Sequence, residues 1–544
     1  MRGSVLLLFA AAAFIVVAMV QASDSFAEGE IYVQVNGVNY QIFTESGNAT
    51  AVGIAPEGQV PNIVIEDLVE YQGIDYGVNA IADFAFGSDN IVTVTFEGAM
   101  IRNIGNYAFE GANIESITVT GTDTSNRYLS EDGILYKRNR LDSNVELTLV
   151  RYPAAHASTV YDLTSKVVGF EMGAFEYCSN LTEITFDADV RIPIIPRFSF
   201  YQATSLQKIG FDGEYNNLPE SVISIEDAAF VGAGLINIKF PENLRSVLMI
   251  AFDNCAANKI LINDNLSFIA DYAFSDCRNL TAFEIAGEYQ AGGFSVRDGV
   301  LYKSDRSDNG KPILVCYPAG KTGDTFEIPE DVIDMADAAF YGSQHLKSVK
   351  LNAHNVNVRT GAFSDCIALE TVTLHKNTVI IEEYAFSNCR SLTTVKGWEN
   401  VVSIGTGAFE GIAMTSLTLP TSVKTVMSYA FMNSKLTEVT IPDTSVEMDR
   451  AIFSGCMDLK KITFEGGDMI LHEGALDVGN EGDIATVDVY VANGVSIPSN
   501  AVDDGYTTLN IIEEGKRPYP YENLIGVFVC VLILLAIFRI IKEV

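Results

Sequence analysis

The sequence predicts a repeat solenoid, mainly parallel β with short helical or irregular turns on the opposite wall, followed by one C-terminal transmembrane helix. Three observations carry this expectation. Thirteen phenylalanines share one frame, from Phe86 to Phe453, with most intervals 22 or 23 residues. Alanine precedes eleven of them, Ser199 and Ile452 being the exceptions. Each phenylalanine leads into a segment L-x-x-[IV]-x-[IL], such as Leu369, Val372 and Leu374 after Phe363. That segment alternates apolar and polar positions, as a half-buried strand does. One such coil cannot bury its own apolar face, so stacking must close the core.

The elements follow in order. Arg2 precedes the apolar run Val5–Val20, and small residues follow at Ala22 and Ala27. Residues 1–27 are therefore expected to be a signal peptide. Residues 28–80, opening with "IYVQVNGVNYQIF", supply a β cap for the solenoid end. The array itself occupies 81–476. Two intervals of 66 residues, three times 22, hold a pair of related insertions at about 120–160 and 286–328. "YLSEDGILYKRN" from Tyr128 and "FSVRDGVLYKSD" from Phe294 each place an Asp-Gly turn between strand patterns, and each insertion ends in Tyr-Pro. That is hairpin chemistry. A C-terminal cap (477–511) and a stalk (512–522) with Pro518 and Pro520 come next. The apolar stretch 523–541 then reads as a membrane-spanning helix, with Tyr519 and Tyr521 at its edge and Arg539 and Lys542 able to snorkel. A tail of 542–544 ends the chain. The expected location is the cell surface, in a single-pass protein whose N-terminal ectodomain lies outside.

The word AFxxCxxLxxI, as in "AFSDCRNLTAFEI" (Ala273–Ile285) and "AFEYCSNLTEITF" (Ala174–Phe186), resembles the BspA-like class of leucine-rich repeats. The resemblance covers roughly 81–476. It implies a leucine-rich-repeat solenoid and a binding role, because members of that family are associated with adhesion to host matrix proteins or other cells. It names no ligand.

Composition and motifs narrow the chemistry. A formal charge of −35 repels phosphates, so no nucleic acid partner is expected. Five histidines lie far from any zinc-ligand spacing, and there is no HExxH, CxxC, P-loop or GxSxG word. No catalytic residue, metal ligand or cofactor is expected, and the chain does not read as an enzyme. Cys178, Cys255, Cys277, Cys366, Cys389 and Cys456 all stand three residues after a frame phenylalanine. Ala203, Ala233, Ser343 and Ser434 fill the same slot elsewhere. A site needing a thiol would not accept alanine in neighbouring copies, so the slot reads as packing. Adjacent coils could bring Cys255 to Cys277, and Cys366 to Cys389, within disulfide reach.

The candidate ligand face is the polar strand position, occupied by Thr95, Thr118, Thr185, Thr373, Thr418, Thr440 and Thr463. Stacked, these would form a hydroxyl stripe for a protein or glycan on another cell or matrix. Threonine also favours strands for its own sake. Asn48, Asn180, Asn265 and Asn279 begin N-x-S/T words and are candidate glycosylation sites. Two alternatives stand beside adhesion: a structural surface coat without a specific ligand, and a carbohydrate-active protein.

Overall fold

The computed structural model describes residues 30–513, apart from 55–60, 88–89, 98–100, 111–112, 122–126, 140–145, 286–292, 306–309, 353–356, 481–482 and 493–494. The expected signal peptide and membrane span lie outside the described residues. Among the described residues no helix is long and apolar enough to cross a membrane. They form two compact units. The first holds the residues up to Asp324 together with Asp331–Leu346, and the second holds Thr325–Glu330 and Lys347 onward.

Each unit is built of stacked coils with three walls. In the second unit the first wall is a run of parallel strands: Thr325–Ile328, Ser348–Leu351, Thr371–Thr373 and Thr394–Lys396 in one sheet. Ser416–Thr418, Glu438–Ile441, Lys461–Phe464, Ala485–Val491 and Thr507–Glu513 make a second. The last of these strands runs two residues into the segment expected to be stalk. The first unit repeats the pattern in three shorter stretches, ending in Lys259–Ile262 and Ala282–Ile285. The L-x-x-[IV]-x-[IL] words are thus parallel strands, with the central residue inward: Ile184, Ile260, Val372 and Val439 are all nearly or wholly buried.

A second wall, unannounced in the sequence, is a ladder of two- and three-residue strands. Ile194–Ile195, Ser224–Ile225, Ser246–Val247 and Phe268–Ile269 pair in parallel. Ile380–Ile381, Ser403–Ile404, Thr425–Val426, Val446–Met448 and Met469–Leu471 do the same. Each puts at least one apolar side chain inward, and Val446–Met448 puts two.

The third wall is an arch carrying the frame phenylalanine. It contains no α-helix among the described residues; the one helical turn is 3-10, at Ser499–Ala501. The residue two before each of the thirteen phenylalanines is left-handed, from Phe84 (φ 57°) to Ala451 (φ 54°). Such a conformation costs a non-glycine residue about 1–2 kcal/mol. The cost is offset by what the arch buries and pairs. In nine coils the phenylalanine N–H donates to the carbonyl of the residue before the next phenylalanine at 2.7–3.0 Å, as in Phe386 to Ala408 and Phe431 to Ile452. The rings then stack along the core. In the first unit Phe175, Phe200, Phe230, Phe252 and Phe274 lie 4.8–5.7 Å apart and within 16° of parallel. In the second, Phe363, Phe386, Phe409 and Phe431 repeat at 5.3 Å.

The 66-residue intervals are not three coils. Tyr152 and Tyr317, each 23 residues before a frame phenylalanine, occupy the phenylalanine slot. Tyr152 stacks on Phe175 at 5.6 Å and Tyr317 on Phe340 at 5.2 Å. Their N–H groups donate to Ala174 and Ala339 as a frame phenylalanine would. The remaining 43 residues hold one coil plus a hairpin: Tyr128–Glu131 pairs antiparallel with Ile134–Arg138, and Phe294–Arg297 with Val300–Asp305. Asp132-Gly133 and Asp298-Gly299 turn with positive φ at both positions (50° and 80°; 49° and 75°), the backbone of a type I′ turn. Each turn docks on the parallel sheet, where Gly133 O accepts from Ile117 N and Gly299 O from Phe283 N.

At the N-terminus, Ile31–Val35, Val38–Phe43 and Asn48–Ile54 form an antiparallel meander. Asn48–Ile54 then pairs in parallel with Ile74–Ile81. Asn62–Ile65 already pairs in parallel with Thr93–Glu97, so the first coil begins within the expected cap.

Candidate functional site

Strand register decides which polar positions become neighbours. In the second unit Thr418 faces Thr440, Thr440 faces Thr463, and Thr463 faces Tyr490. Thr373 sits between Lys350 and Lys396. In the first unit Thr95 pairs with Thr118, and Thr185 with Asp162. The first unit's stripe continues at the same position through Asn217, Lys239, Leu261 and Glu284. The seven threonines therefore fall into two clusters and two singletons, with lysine and acid between them.

Some stripe side chains are tied to their neighbours. In the first unit Thr185 Oγ1 donates to Asp162 Oδ1 at 2.9 Å and Lys259 Nζ meets Glu284 Oε1 at 2.7 Å; in the second Lys350 Nζ lies 3.4 Å from Glu327 Oε2. Tyr215 also donates to Glu284, and the lysine and tyrosine bonds together hold that carboxyl below its ordinary range. In the second unit, the hydroxyls of Thr373, Thr418, Thr440 and Thr463 make no side-chain bond within the chain among the described residues. Thr418 is exposed and the other three are half-buried. Lys461 lies 4.9 Å from the Tyr490 ring centre and gives this stripe a cationic, aromatic end.

A second hydroxyl row escaped the sequence reading. Two residues before the stripe position, Thr325, Ser348, Thr371 and Thr394 face one another in register. The frame that located the stripe would have located this row too, since strand side chains repeat every second residue. Other threonines are structural: Thr182, Thr281 and Thr437 each donate to a carbonyl of the preceding coil at 2.9–3.0 Å.

The cysteine slot is packing. The seven described cysteines form no disulfide, and the six in the frame are buried. Cys277, Cys389 and Cys456 donate to the carbonyl of the preceding frame phenylalanine at 2.9–3.0 Å. Burial pushes the thiols of Cys178 and Cys255 up to about 12, so neither is a thiolate at neutral pH. No group of three or more potential metal ligands comes together among the described residues. Of the sequon asparagines, Asn180, Asn265 and Asn279 are exposed, while Asn48 is half-buried in a strand.

The repeat word, now seen as strand, ladder and arch, matches the family described as BspA type leucine rich repeat region over residues 69–131, 158–218, 194–295, 319–434 and 402–477. The chain belongs to this family. Among curated proteins none matches. Solved structures similar to this BspA-type chain include a leucine-rich cell surface protein from Faecalibacterium prausnitzii, at 20% identity and a TM-score of 0.43. That match covers 82% of this chain and 96% of the other. A leucine-rich repeat protein from Eubacterium ventriosum matches at 18% identity and TM-score 0.45, over 71% of this chain and 94% of the other. The pneumococcal vaccine antigen PcpA matches at 18% identity and TM-score 0.39, over 89% and 99%.

Proposed function

We propose that this BspA-type chain is a cell-surface protein, anchored by 523–541 after removal of 1–27, that binds a protein or glycan through the sheet face of its solenoid. The observation that carries this reading is the stripe Thr418, Thr440, Thr463 and Tyr490, whose hydroxyls are in register and unspent inside the chain. Solenoids bind along such continuous faces. Exposed and half-buried hydroxyls beside an aromatic ring and a lysine suit hydroxyl-rich or peptide ligands alike. Exposed Asn180, Asn265 and Asn279 support glycosylation of an exported chain. The family and the buried thiols give no support to an enzymatic role.

Cells displaying the protein are applied to matrix-protein and glycan arrays, beside a Thr418→Ala, Thr440→Ala, Thr463→Ala variant. Binding that drops at least about tenfold in the variant, with unchanged melting, supports the stripe; three lost hydroxyl contacts of about 0.5–1.5 kcal/mol each supply that factor. Equal binding by both removes the stripe as the site. No binding by the unaltered protein favours a structural coat.

A further inference from the structure

On the wall away from the sheet, the first hairpin coil leaves a cleft of about 190 Å³. It is smaller than the roughly 300–1,000 Å³ sites that take drug-sized ligands, and fits one ring-sized polar molecule. Asn106, Tyr107, Lys137, Arg151, Glu171 and Glu176 are in its lining. The charges are matched in pairs: Arg151 Nη1 lies 2.7 Å from Glu176 Oε1, and Lys137 Nζ lies 2.7 Å from Glu171 Oε1. Arg151 is 4% exposed and also donates to the Gly173 carbonyl at 2.7 Å. Its Nε is buried with no partner. That atom is sealed from solvent, so Arg151 shapes the notch while the half-exposed Lys137–Glu171 pair meets whatever enters it.

The chain contains its own control. The second hairpin coil builds the same notch from residues 165 positions later, with Tyr272 for Tyr107, Cys316 for Arg151, Ala336 for Glu171 and Tyr341 for Glu176. That notch has closed to about 10 Å³. The hairpin coil therefore folds without the buried ion pair, and such pairs are weak contributors to stability. The Arg151–Glu176 pair is a feature of the first copy that the architecture does not demand.

We propose that the first notch is a binding subsite for a single neutral pyranose ring. The half-exposed Lys137–Glu171 pair offers a donor and an acceptor side by side, which neighbouring hydroxyls of one sugar ring match. Glu176, together with the neighbouring Glu110, opposes an anion. Asn106 and the paired carboxylates offer the fixed donors and acceptors that hydroxyl groups match, and Tyr107 and Tyr128 add aromatic carbon for the ring's C–H face. The site is independent of the threonine stripe and lies on another wall.

The full-length protein is titrated with glucose, galactose, mannose and N-acetylglucosamine, with glucuronate and glucosamine as charged controls, by saturation-transfer NMR. Saturable binding of at least one neutral sugar is expected. It should weaken at least about tenfold, the worth of one charge-assisted hydrogen bond, when Arg151→Cys and Glu176→Tyr transplant the closed notch. Asn106→Leu, an exposed rim change that leaves the core intact, should weaken it too and serves if the double variant does not fold. Absence of saturable binding by every neutral sugar overturns the proposal. So does equal binding by folded variants, or tighter binding of a charged control. Stripe variants should leave this binding unchanged.

Discussion

Replacing Phe386 by alanine tests whether the ring stack holds the coils together. The side chain is fully buried and lies parallel between Phe363 and Phe409, 5.3 Å from each, at 8° and 11°. Truncating a buried phenylalanine costs about 3–5 kcal/mol. Each stacked neighbour adds about 0.5–1.5 kcal/mol that alanine cannot recover. The cavity is walled by two sheets and an arch bonded to the next coil, so it cannot collapse, and the expected loss is near 5 kcal/mol. Phe386→Leu keeps most of the volume and should cost about half as much. Denaturant unfolding followed by circular dichroism measures both. Hydrogen exchange should place the lost protection in the coils of Phe363, Phe386 and Phe409, because coil stability is a nearest-neighbour quantity. A loss below about 1.5 kcal/mol, or protection lost equally in distant coils, would refute the stack as the stabilising element.

Two further outcomes follow from buried groups. Cys389→Ala should cost only about 1 kcal/mol, one thiol contact and a small void, and a thiol reagent should modify none of the six slot cysteines until the protein unfolds. Rapid modification of the native protein would show that the slot is open. Burial raises Asp253 to about 7, and the Ser275 hydroxyl, which donates to it, only partly opposes the shift. A raised carboxyl pKa means the folded state holds more protons between about pH 4 and 7, so this group's contribution falls as pH rises through that window. From pH 7.5 to 5.5 the unaltered protein should gain about 2 kcal/mol relative to Asp253→Asn; parallel stability curves would show that Asp253 titrates normally.

The fold was legible where one side chain type repeats against a constant environment. Phe86 to Phe453 announce the arch, Val372 and its equivalents announce the strand, and Ala203 and Ser434 explain Cys389. Tyr152 and Tyr317 were hidden because the phenylalanine slot accepts a phenol and because a strand, Leu147–Arg151 or Lys311–Cys316, replaces the usual left-handed approach. The second ladder was hidden because a two-residue strand such as Ser403–Ile404 is too short to show a period. The stripe was largely legible: counting from the frame phenylalanine gave Thr440 and Thr463 and set Lys350 and Lys396 on either side of Thr373, but the row at Ser348, Thr371 and Thr394 was overlooked. Arg151–Glu176 had no local signal, since its partners are 25 residues apart and meet only through stacking.

The arch bonds from Phe86 to Phe431 described above point one way. Each of those N–H groups waits for a carbonyl that belongs to the coil made after it, so a growing chain carries an unanswered donor at such a turn. The debt passes forward until the 3-10 turn at Ser499–Ala501, where Ala501 O accepts from Leu476 N at 2.8 Å and no frame phenylalanine follows. Whole coils can therefore be gained or lost anywhere upstream, because donor and acceptor are removed together. The terminating turn cannot be traded for another repeat, so coil number can drift upstream of it while this ending stays.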